Sequence, residues 1–512
     1  MLAASWLAGC ASLPPGSAYP RTPSTALAEP EATKVGRQFT AAAHEHGDMA
    51  AYRIISVGVD GFLMRMEMIN TAERTLDLQY FIWRGDESGR LLTDALIRAA
   101  QRGVRVRLLL DDGETVPGDE QIFALAGRAN VEIRVFNPFA YRGHNRMLRA
   151  AEYLLNHSRL DHRMHNKLLV TDNTIALVGG RNIGDQYFQI DPESQFADDD
   201  VFVGGPTVHE LSGTFDQFWN SALSIPVEAL HAADSHARHH KADSGKVNKA
   251  GFDYQSKLAS GEPLAGMVAG RLPLIWANAQ VVCDSPEKKQ AADRPGAGSI
   301  MYAPVAHAAA QVQSELLIVS PYVVPSKDEL HLLEDRSAHR VRIRILTNSL
   351  ESAPELSAHS GYMHYRTELL KDGVELHEVR SRLGNSRGSG QTSQISRYGT
   401  YALHAKLYVF DQRRLFIGSM NLDQRSRHLN TEVGLIIDSP ELSRETAKRF
   451  DAMTLPENSY AVYLSGDEQS PHLLWRTVEN GTAVEYKNEP ARHAWQRIEV
   501  NLLSLLPLDS EL

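Results

Sequence analysis

The feature that most constrains the fold of this chain is an internal repeat of strand-like runs. Short runs rich in β-branched and apolar residues occur in the same order in both halves, and each is predicted to be a strand. The runs lie at residues 75–83, 104–110, 131–136, 167–170 and 174–178, and then at 315–320, 341–346, 374–379, 406–410 and 415–417. Helical periodicity separates them, as at 88–102, so each half is predicted to be an α/β domain with a largely parallel sheet.

The length of the chain agrees with two domains. A single hydrophobic core rarely grows beyond about 250–300 residues, and this chain has 512. We place the first domain at 50–222 and the second, with a C-terminal extension, at 300–512. The polar region at 223–299 is predicted to be a linker, and the region at 11–49, much of it rich in Pro, Ser and Ala, a flexible leader.

Each half also carries one copy of a His-x-Lys-x4-Asp motif. The two copies are His165, Lys167, Asp172 and His404, Lys406, Asp411. Six residues after each copy begins a Gly-x-x-Asn segment, which ends at Asn182 in the first half and at Asn421 in the second. Two matches with identical spacing, at equivalent places in two repeats, are not expected by chance.

The spacing of the motif indicates how its side chains are arranged. Residues i and i+2 of an extended strand point to the same face, so each His projects together with its Lys. Two such repeats, brought together about a pseudo-twofold axis, would surround one phosphate with two His, two Lys and two Asn. Such a phosphodiester site needs no metal and no cofactor. Asp172 and Asp411 follow the strands and are interpreted first as turn anchors and second as chemical groups.

These motifs resemble those of the phospholipase D superfamily, and the resemblance covers nearly the whole chain after Ala50. It implies two similar α/β sandwich domains related by a pseudo-twofold axis, with the six motif residues as the catalytic set. It also implies a two-step mechanism in which one His attacks phosphorus while the other protonates the leaving alcohol. The Lys and Asn residues would hold the phosphoryl oxygens.

Members of the superfamily also carry acidic residues, after the Gly-x-Asn segments, that orient the catalytic His. Glu432 matches in the second half, and Asp200 is the candidate in the first half, next to Asp198 and Asp199. The second half has Ser419 where the first has Gly180. A hydroxyl contact to substrate is therefore expected from the second half alone.

Several segments outside the motifs resemble bacterial cardiolipin synthases, most of all their C branch. These segments lie at 76–83, 134–138, 361–366, 369–375 and 505–508. The resemblance implies transfer of a phosphatidyl group from phosphatidylethanolamine or phosphatidylglycerol to the hydroxyl of phosphatidylglycerol, at a membrane surface. Two alternatives stay open: a hydrolase, either a phospholipase D or a periplasmic nuclease, and a catalytically inactive lipid-binding scaffold, against which both intact motifs argue.

The two ends of the chain bear on its location. Residues 7–10, Leu-Ala-Gly-Cys, resemble a bacterial lipobox, so 1–10 is predicted to be a lipoprotein-like signal with Cys10 as the lipidated residue. This predicts a protein anchored by an N-terminal lipid on the periplasmic side of the cell envelope. The apolar run at 500–506 is interpreted as a packing segment, with a membrane-dipping role as the alternative.

Composition narrows the choice of partners. The formal net charge of −10 points away from nucleic acid, because nucleic-acid-binding proteins usually carry a basic surplus. No stretch of the body of the chain approaches about 18 consecutive apolar residues, so it is not expected to span a membrane. Phospholipids and a membrane surface are the expected partners, and nothing in the sequence indicates an oligomeric state.

Overall fold

The computed structural model describes residues 13–113, 122, 125–143, 145–191, 193–231, 263–268, 271–289, 301–383, 400–466 and 471–506. The predicted lipidation residue Cys10 lies outside these ranges, as does much of the predicted linker. Among the described residues, no helix is long and apolar enough to cross a bilayer.

The first half is an alternation of strands and helices. Its strands are β1 (Ala50–Ile55), β2 (Thr75–Tyr80), β3 (Arg105–Asp111), β4 (Val131–Phe136), β5 (Leu168–Thr171), β6 (Ile175–Gly179), β7 (Ser194–Ala197), β8 (Asp200–Gly204) and β9 (Ser224–Pro226). Its helices are α1 (Lys34–Glu45), α2 (Gly58–Thr71), α3 (Glu87–Gln101), α4 (Arg146–Leu155), α5 (His157–Leu160), α6 (Thr207–Asn220) and α7 (Val227–His231). Short 3-10 helices lie at Pro30–Ala32 and Asp185–Tyr187.

A short helix, α8 (Pro263–Val268), precedes the second half. The strands that follow are β10 (Ile275–Cys283), β11 (Glu315–Val319), β12 (Val323–Val324), β13 (Arg342–Asn348), β14 (Glu375–Val379), β15 (Thr400–Leu403), β16 (Leu407–Phe410), β17 (Arg414–Gly418), β18 (Leu422–Asp423), β19 (Val433–Asp438), β20 (Ser459–Ser465), β21 (His472–Glu479) and β22 (Thr482–Tyr486). The helices are α9 (Tyr302–Ala310), α10 (Lys327–Ala338), α11 (Leu356–Lys371), α12 (Gln424–His428), α13 (Pro440–Met453) and α14 (Ala494–Leu503).

The predicted repeat is present in the order of the strands. The first half pairs its strands in the order β1-β8-β6-β5-β2-β3-β4-β9. The second half follows β10-β19-β17-β16-β11-β13-β14-β20-β21-β22. In each half three strands are parallel, β2-β3-β4 and β11-β13-β14, and the other described pairings of the large sheet are antiparallel, so the prediction of a largely parallel sheet is wrong.

Strand β10 corrects the predicted boundary between the domains. It pairs antiparallel with β19 just as β1 pairs with β8, so it is the first strand of the second half. It also pairs with β1, which joins both halves in one 18-stranded sheet. The second domain therefore begins about 25 residues earlier than predicted. This strand was not predicted because its apolar residues do not form a continuous run: exposed polar residues, Asn278 and Gln280, alternate with them.

The part of the predicted flexible leader that the structure describes is packed against the first half. Phe39 of α1 lies in the core, with its ring centroid 5.9 Å from that of Phe202. Upstream of α1, the Ser24 hydroxyl accepts a hydrogen bond from the indole of Trp219, and its carbonyl accepts one from Arg107. The Pro- and Ala-rich composition suggested a mobile tether, but a few apolar anchors on an amphipathic helix are enough to fix this segment.

The core has three layers, which the alternation of strand residues makes possible. In β5, Leu169 faces an outer core of the first half, and Leu168 and Val170 face a central core. In β16, Tyr408 faces an outer core of the second half, and Val409 faces the same central core. Both halves therefore bury one sheet face against each other, and this central core holds the two motif hairpins in a fixed relation.

Candidate active site

Two hairpins bring the motif residues to the centre of the molecule. His165 and Lys167 lead into the hairpin of β5 and β6, and His404 and Lys406 lead into that of β16 and β17. Each Lys ammonium donates a hydrogen bond of 2.5 Å to the carbonyl oxygen of its own His. Each His and Lys thus lie together, as their spacing predicts, and all four side chains are buried.

Each imidazole is held by a carboxylate from the other half. Nδ1 of His165 lies 2.9 Å from Oε2 of Glu432, and Nδ1 of His404 lies 2.6 Å from Oδ2 of Asp198. The backbone N–H of each His donates to the carbonyl of the residue just before that carboxylate, at 2.9 and 2.7 Å. A carboxylate at Nδ1 favours the tautomer that leaves Nε2 available for reaction. Neither half on its own contains both a motif His and the carboxylate that contacts it.

The acid that contacts the second His is Asp198, and the prediction of Asp200 is wrong. Sheet register shows why: Asp200 lies opposite the last residue of β6, and Gly434 lies opposite the last residue of β17. Two residues before these positions are Asp198 and Glu432, which are therefore equivalent. The stretch from Asn182 to Asp198 is five residues longer than the equivalent stretch from Asn421 to Glu432. The spacing along the sequence therefore did not reveal that the two acids are equivalent.

Asp200 has a structural role instead. Its Oδ2 forms ion pairs with Arg65 at 2.8 Å and with Arg181 at 3.1 Å, all three side chains being buried. Gly180 is the glycine that the true orienting acid requires, because a Cβ there would collide with the Asp198 carboxylate. The first half therefore has Gly180 where the second has Ser419, because no side chain fits beside the Asp198 carboxylate.

The motif aspartates Asp172 and Asp411 are not part of the cleft, which corrects their place in the catalytic set. Each follows its strand in a three-residue hairpin loop and has a positive φ, of 52° and 53°, which Asp tolerates better than most residues. The Asp172 carboxylate accepts three backbone hydrogen bonds from residues 73–75, and that of Asp411 accepts three from 313–315. They anchor the hairpins to β2 and β11, as the turn-anchor interpretation holds.

Of the remaining predicted residues, two line the cleft and one holds the carboxylate that contacts His165. Asn182 and Asn421 both line the cleft. The Asn182 amide also donates to the hydroxyl of Tyr187, whereas Oδ1 of Asn421 is buried without a hydrogen-bond partner. Ser419 does not face the cleft, because its hydroxyl donates to Glu432 at 2.5 Å. Of the two roles that the sequence leaves open for Ser419, contact with the phosphate or orientation of the site, its hydroxyl is placed for the second, because it holds the acid that contacts His165.

Burial sets the protonation of the site. Burial and the charges of Lys167 and Lys406 hold the pKa of His165 well below its usual range, and His404 behaves likewise. Burial also raises the pKa of Glu432 to about 7 and that of Asp198 to about 7. The imidazoles are thus neutral at neutral pH. Burial also lowers the pKa of Lys167 well below its usual range and that of Lys406 to about 8, so a bound phosphate would favour the charged form of both.

The cleft between the halves encloses about 430 Å³ and suits a phosphodiester with apolar substituents. Nonpolar and aromatic side chains form much of its wall: Phe81, Ile82, Tyr187, Phe196, Tyr322 and Val324. Rings also pack on the histidines, with Phe81 edge-on to His165 and Phe196 stacked on His404. Arg84 and Arg425 add guanidinium groups. The motifs gave no signal for these residues, because they come from loops and short strands and helices that only the fold brings together.

The pKa values predict a narrow pH optimum for kcat/KM, which reports the free enzyme. As pH falls through about 7, Glu432 and Asp198 take up protons and cease to hold the neutral imidazoles in their reactive tautomer. As pH rises through about 8, Lys406 loses its charge, because burial lowers its pKa to about 8, and Lys167, whose pKa burial also lowers well below its usual range, contributes to the same limb. We therefore expect a bell-shaped profile, measured with a soluble p-nitrophenyl phosphodiester.

Lys406→Arg tests the alkaline limb of that profile. A guanidinium stays charged well above pH 10, so whatever activity the variant keeps should decline at higher pH than in the unmodified protein. An unmodified enzyme whose kcat/KM stays flat up to pH 9.5 would contradict this assignment.

Comparison with known proteins identifies the relatives of this chain. The family described as cardiolipin synthase, PLD-like domain, matches residues 66–219 and 305–454, and each range contains one motif copy. Cardiolipin synthase C of Escherichia coli (strain K12) is 35% identical over 454 residues, which are 88% of this chain and 94% of that protein. The major cardiolipin synthase ClsA of Bacillus subtilis (strain 168) is 25% identical over 433 residues, 84% of this chain and 73% of that protein.

The structural comparison concerns the fold. The crystal structure of phosphatidylserine synthase from Haemophilus influenzae Rd KW20 superimposes with a TM-score of 0.51 at 14% identity, covering 84% of this chain and 92% of that one. At this identity the likeness shows a shared fold and nothing about the substrate. Together with the family match it confirms the predicted phospholipase D fold of two related α/β halves.

Proposed function

This chain belongs to the cardiolipin synthase family of phospholipase D-like enzymes, and from that premise we propose that it makes cardiolipin through a phosphohistidine intermediate. As a phosphatidyltransferase it acts on phospholipids. The proposed donor is phosphatidylethanolamine or phosphatidylglycerol, and the proposed acceptor is the hydroxyl of a second phosphatidylglycerol. The observation that carries the proposal is the pair of buried histidines, each tied at Nδ1 to a carboxylate from the other half.

The first step consumes the donor phospholipid. Nε2 of His165 forms a bond to phosphorus while the bond from phosphorus to the head-group alcohol breaks. His404 gives that alcohol the proton from its own Nε2. The substrate phosphate adds a negative charge beside His404, and this charge favours the protonated form of His404. Lys167 and Lys406 stabilise the charge on the phosphoryl oxygens as it develops.

The second step reverses the first with a new alcohol. The hydroxyl of phosphatidylglycerol forms a bond to phosphorus, His404 takes up its proton, and the bond from His165 to phosphorus breaks. Water could perform the same step and give phosphatidic acid. The ring-lined wall of the cleft supports transfer over hydrolysis, since an apolar surround disfavours bulk water beside the phosphohistidine.

Product analysis with defined lipids tests this function. The purified protein is incubated with phosphatidylethanolamine, with and without phosphatidylglycerol, and the lipids are separated. Cardiolipin that forms only when phosphatidylglycerol is present is the expected result. Phosphatidic acid as the sole product would make the enzyme a phospholipase D, and cleavage of single-stranded DNA with no lipid product would overturn both lipid functions.

The proposed location is the periplasmic side of the bacterial envelope, with Cys10 acylated. Cys10→Ser is expected to shift most of the protein from washed membranes to the soluble fraction, because firm anchoring needs the covalent lipid. Activity in detergent should stay unchanged, since the residues that line the cleft begin at Phe81 in the sequence. A Cys10→Ser protein found wholly in the washed pellet would show that another anchor holds it.

A further inference from the structure

Helix α4 lies with its apolar face outward, which is the reverse of the usual arrangement. Its apolar residues Met147, Leu148, Leu154 and Leu155 follow the i, i+1, i+7, i+8 spacing of a single helix face. A surface helix normally turns such a face to the core. Here Met147 is 82% exposed and Leu155 is 85% exposed, and no residue of the helix that the structure describes is buried.

The polar face of α4 is the one that attaches it to the protein. The Glu152 carboxylate accepts hydrogen bonds from the backbone N–H groups of Ala140 and Tyr141 at 2.6 and 2.8 Å. The Tyr153 hydroxyl donates to Asp161 at 3.0 Å. These contacts fix the orientation of the helix, so its exposed apolar face is a feature of the fold and not a frayed end.

Helix α14 presents a second apolar face, in the other half. The exposed stripe consists of Trp495, Ile498, Leu502, Leu505 and Leu506, and Trp495 is 73% exposed. On the opposite face Gln496 and Val500 are buried, and the Gln496 amide donates to the carbonyl of Leu350. In the run at 500–506, Val500 is buried and Leu503 is half-buried, but Leu502, Leu505 and Leu506 are exposed. The packing interpretation made from the sequence therefore holds for only part of the run.

Both helices are attached to the rim of the active-site cleft. Asp161, which holds Tyr153 of α4, also accepts a 2.7 Å hydrogen bond from Arg425, and Arg425 lines the cleft. On the other side, Leu350 holds α14, and the same loop continues to Pro354 and Glu355, which line the cleft as well. Each half thus places one outward apolar helix beside the entrance.

We propose that α4 and α14 form a docking surface that enters the outer layer of a phospholipid bilayer and places the cleft entrance at the head groups. The proposal rests on the proposed function, because the phospholipids of the bilayer are then the substrates of the enzyme. Tryptophan favours the membrane interface, and the exposed Arg146 of α4 suits anionic head groups. A single protein partner would have to cover faces in both halves without closing the entrance between them.

Vesicle binding tests the proposal in the full-length Cys10→Ser protein, in which the covalent anchor is absent. Docking through side chains is reversible, so binding is measured at excess lipid and without washing. The vesicles contain phosphatidylethanolamine and phosphatidylglycerol. Replacing two exposed apolar side chains of either helix, as in Leu154→Ser with Leu155→Ser or Trp495→Ser with Leu502→Ser, should weaken partitioning into the vesicles by about tenfold or more.

A matched control comes from another exposed leucine. Leu455 follows α13 and lies on neither helix, so Leu455→Ser should bind vesicles like the parent protein. The two double variants should also hydrolyse a soluble p-nitrophenyl phosphodiester at the parent rate, while their activity on vesicle lipids falls with binding. A fall in both activities would mean that the substitutions damage the site.

Other outcomes separate this proposal from the proposed function. Double variants that bind vesicles as tightly as the parent would overturn docking, even if cardiolipin forms. A parent that binds vesicles through these helices but yields no lipid product would leave docking intact and remove the proposed function. A parent that dimerises in solution, with monomeric double variants, would assign these faces to a second copy of the chain and overturn the proposal.

Discussion

Replacing His165 or His404 by alanine is expected to lower the turnover of phospholipid substrates by about 10⁴-fold or more. One imidazole supplies the attacking atom and the other the proton, and no neighbouring group in the described cleft can take over either task at Nε2. Rates of lipid product formation measure the loss. His209→Ala is the matched control, because His209 is an exposed histidine of α6, outside the cleft, and should leave turnover unchanged.

The second large effect is expected from Asp198→Asn. An amide at this position cannot hold the Nδ1–H tautomer of His404 as a carboxylate does, and in comparable His–carboxylate pairs such a change lowers kcat by about 10⁴-fold. We expect a loss of about 10²- to 10⁴-fold in kcat with little change in the free energy of unfolding. Because Asp198 acts through His404, the acid limb of the pH profile should also change in this variant.

Asp200→Asn gives the contrasting result two residues away. It would leave Arg65 and Arg181 buried without their shared carboxylate, which typically costs about 3–5 kcal/mol of folding free energy. Activity per folded molecule should be nearly retained below the unfolding temperature. If Asp200→Asn abolished activity in a folded protein while Asp198→Asn did not, Asp200 would be the orienting acid. The equivalence of Asp198 and Glu432 would then be wrong.

The sequence predicted the fold and the placing of each motif His beside its Lys because both depend on local patterns. The i, i+2 spacing of His165 and Lys167 predicts that both side chains lie on one face of an extended segment, whatever the rest of the fold is. A second copy of the motif predicts a second, equivalent segment. The turn-anchor role of Asp172 followed from the same local reasoning, since Asp favours hairpin loops.

The sequence did not predict what depends on the pairing of distant strands. Asp198 is equivalent to Glu432 only through the register of β8 on β6 and of β19 on β17, and the longer first-half loop obscured this. Strand β10 does have an apolar face, because Ala277, Val281 and their alternate neighbours pack on the central core, but its pairing with β1 and β19 appears only in the fold. The outward face of α4 runs against the rule that an amphipathic helix buries its apolar side.

The measurement that tests the central claim most directly is trapping of the phosphoenzyme with a p-nitrophenyl phosphodiester of a lipid-like alcohol. Its leaving group departs with little protonation, so His404→Ala should still form an adduct and His165→Ala should form none. The adduct is located by peptide mass spectrometry after a quench without acid. We predict phosphorus on His165. An adduct on His404 in the His165→Ala protein would reverse the two roles, and full turnover by both variants would contradict a single site built from two halves.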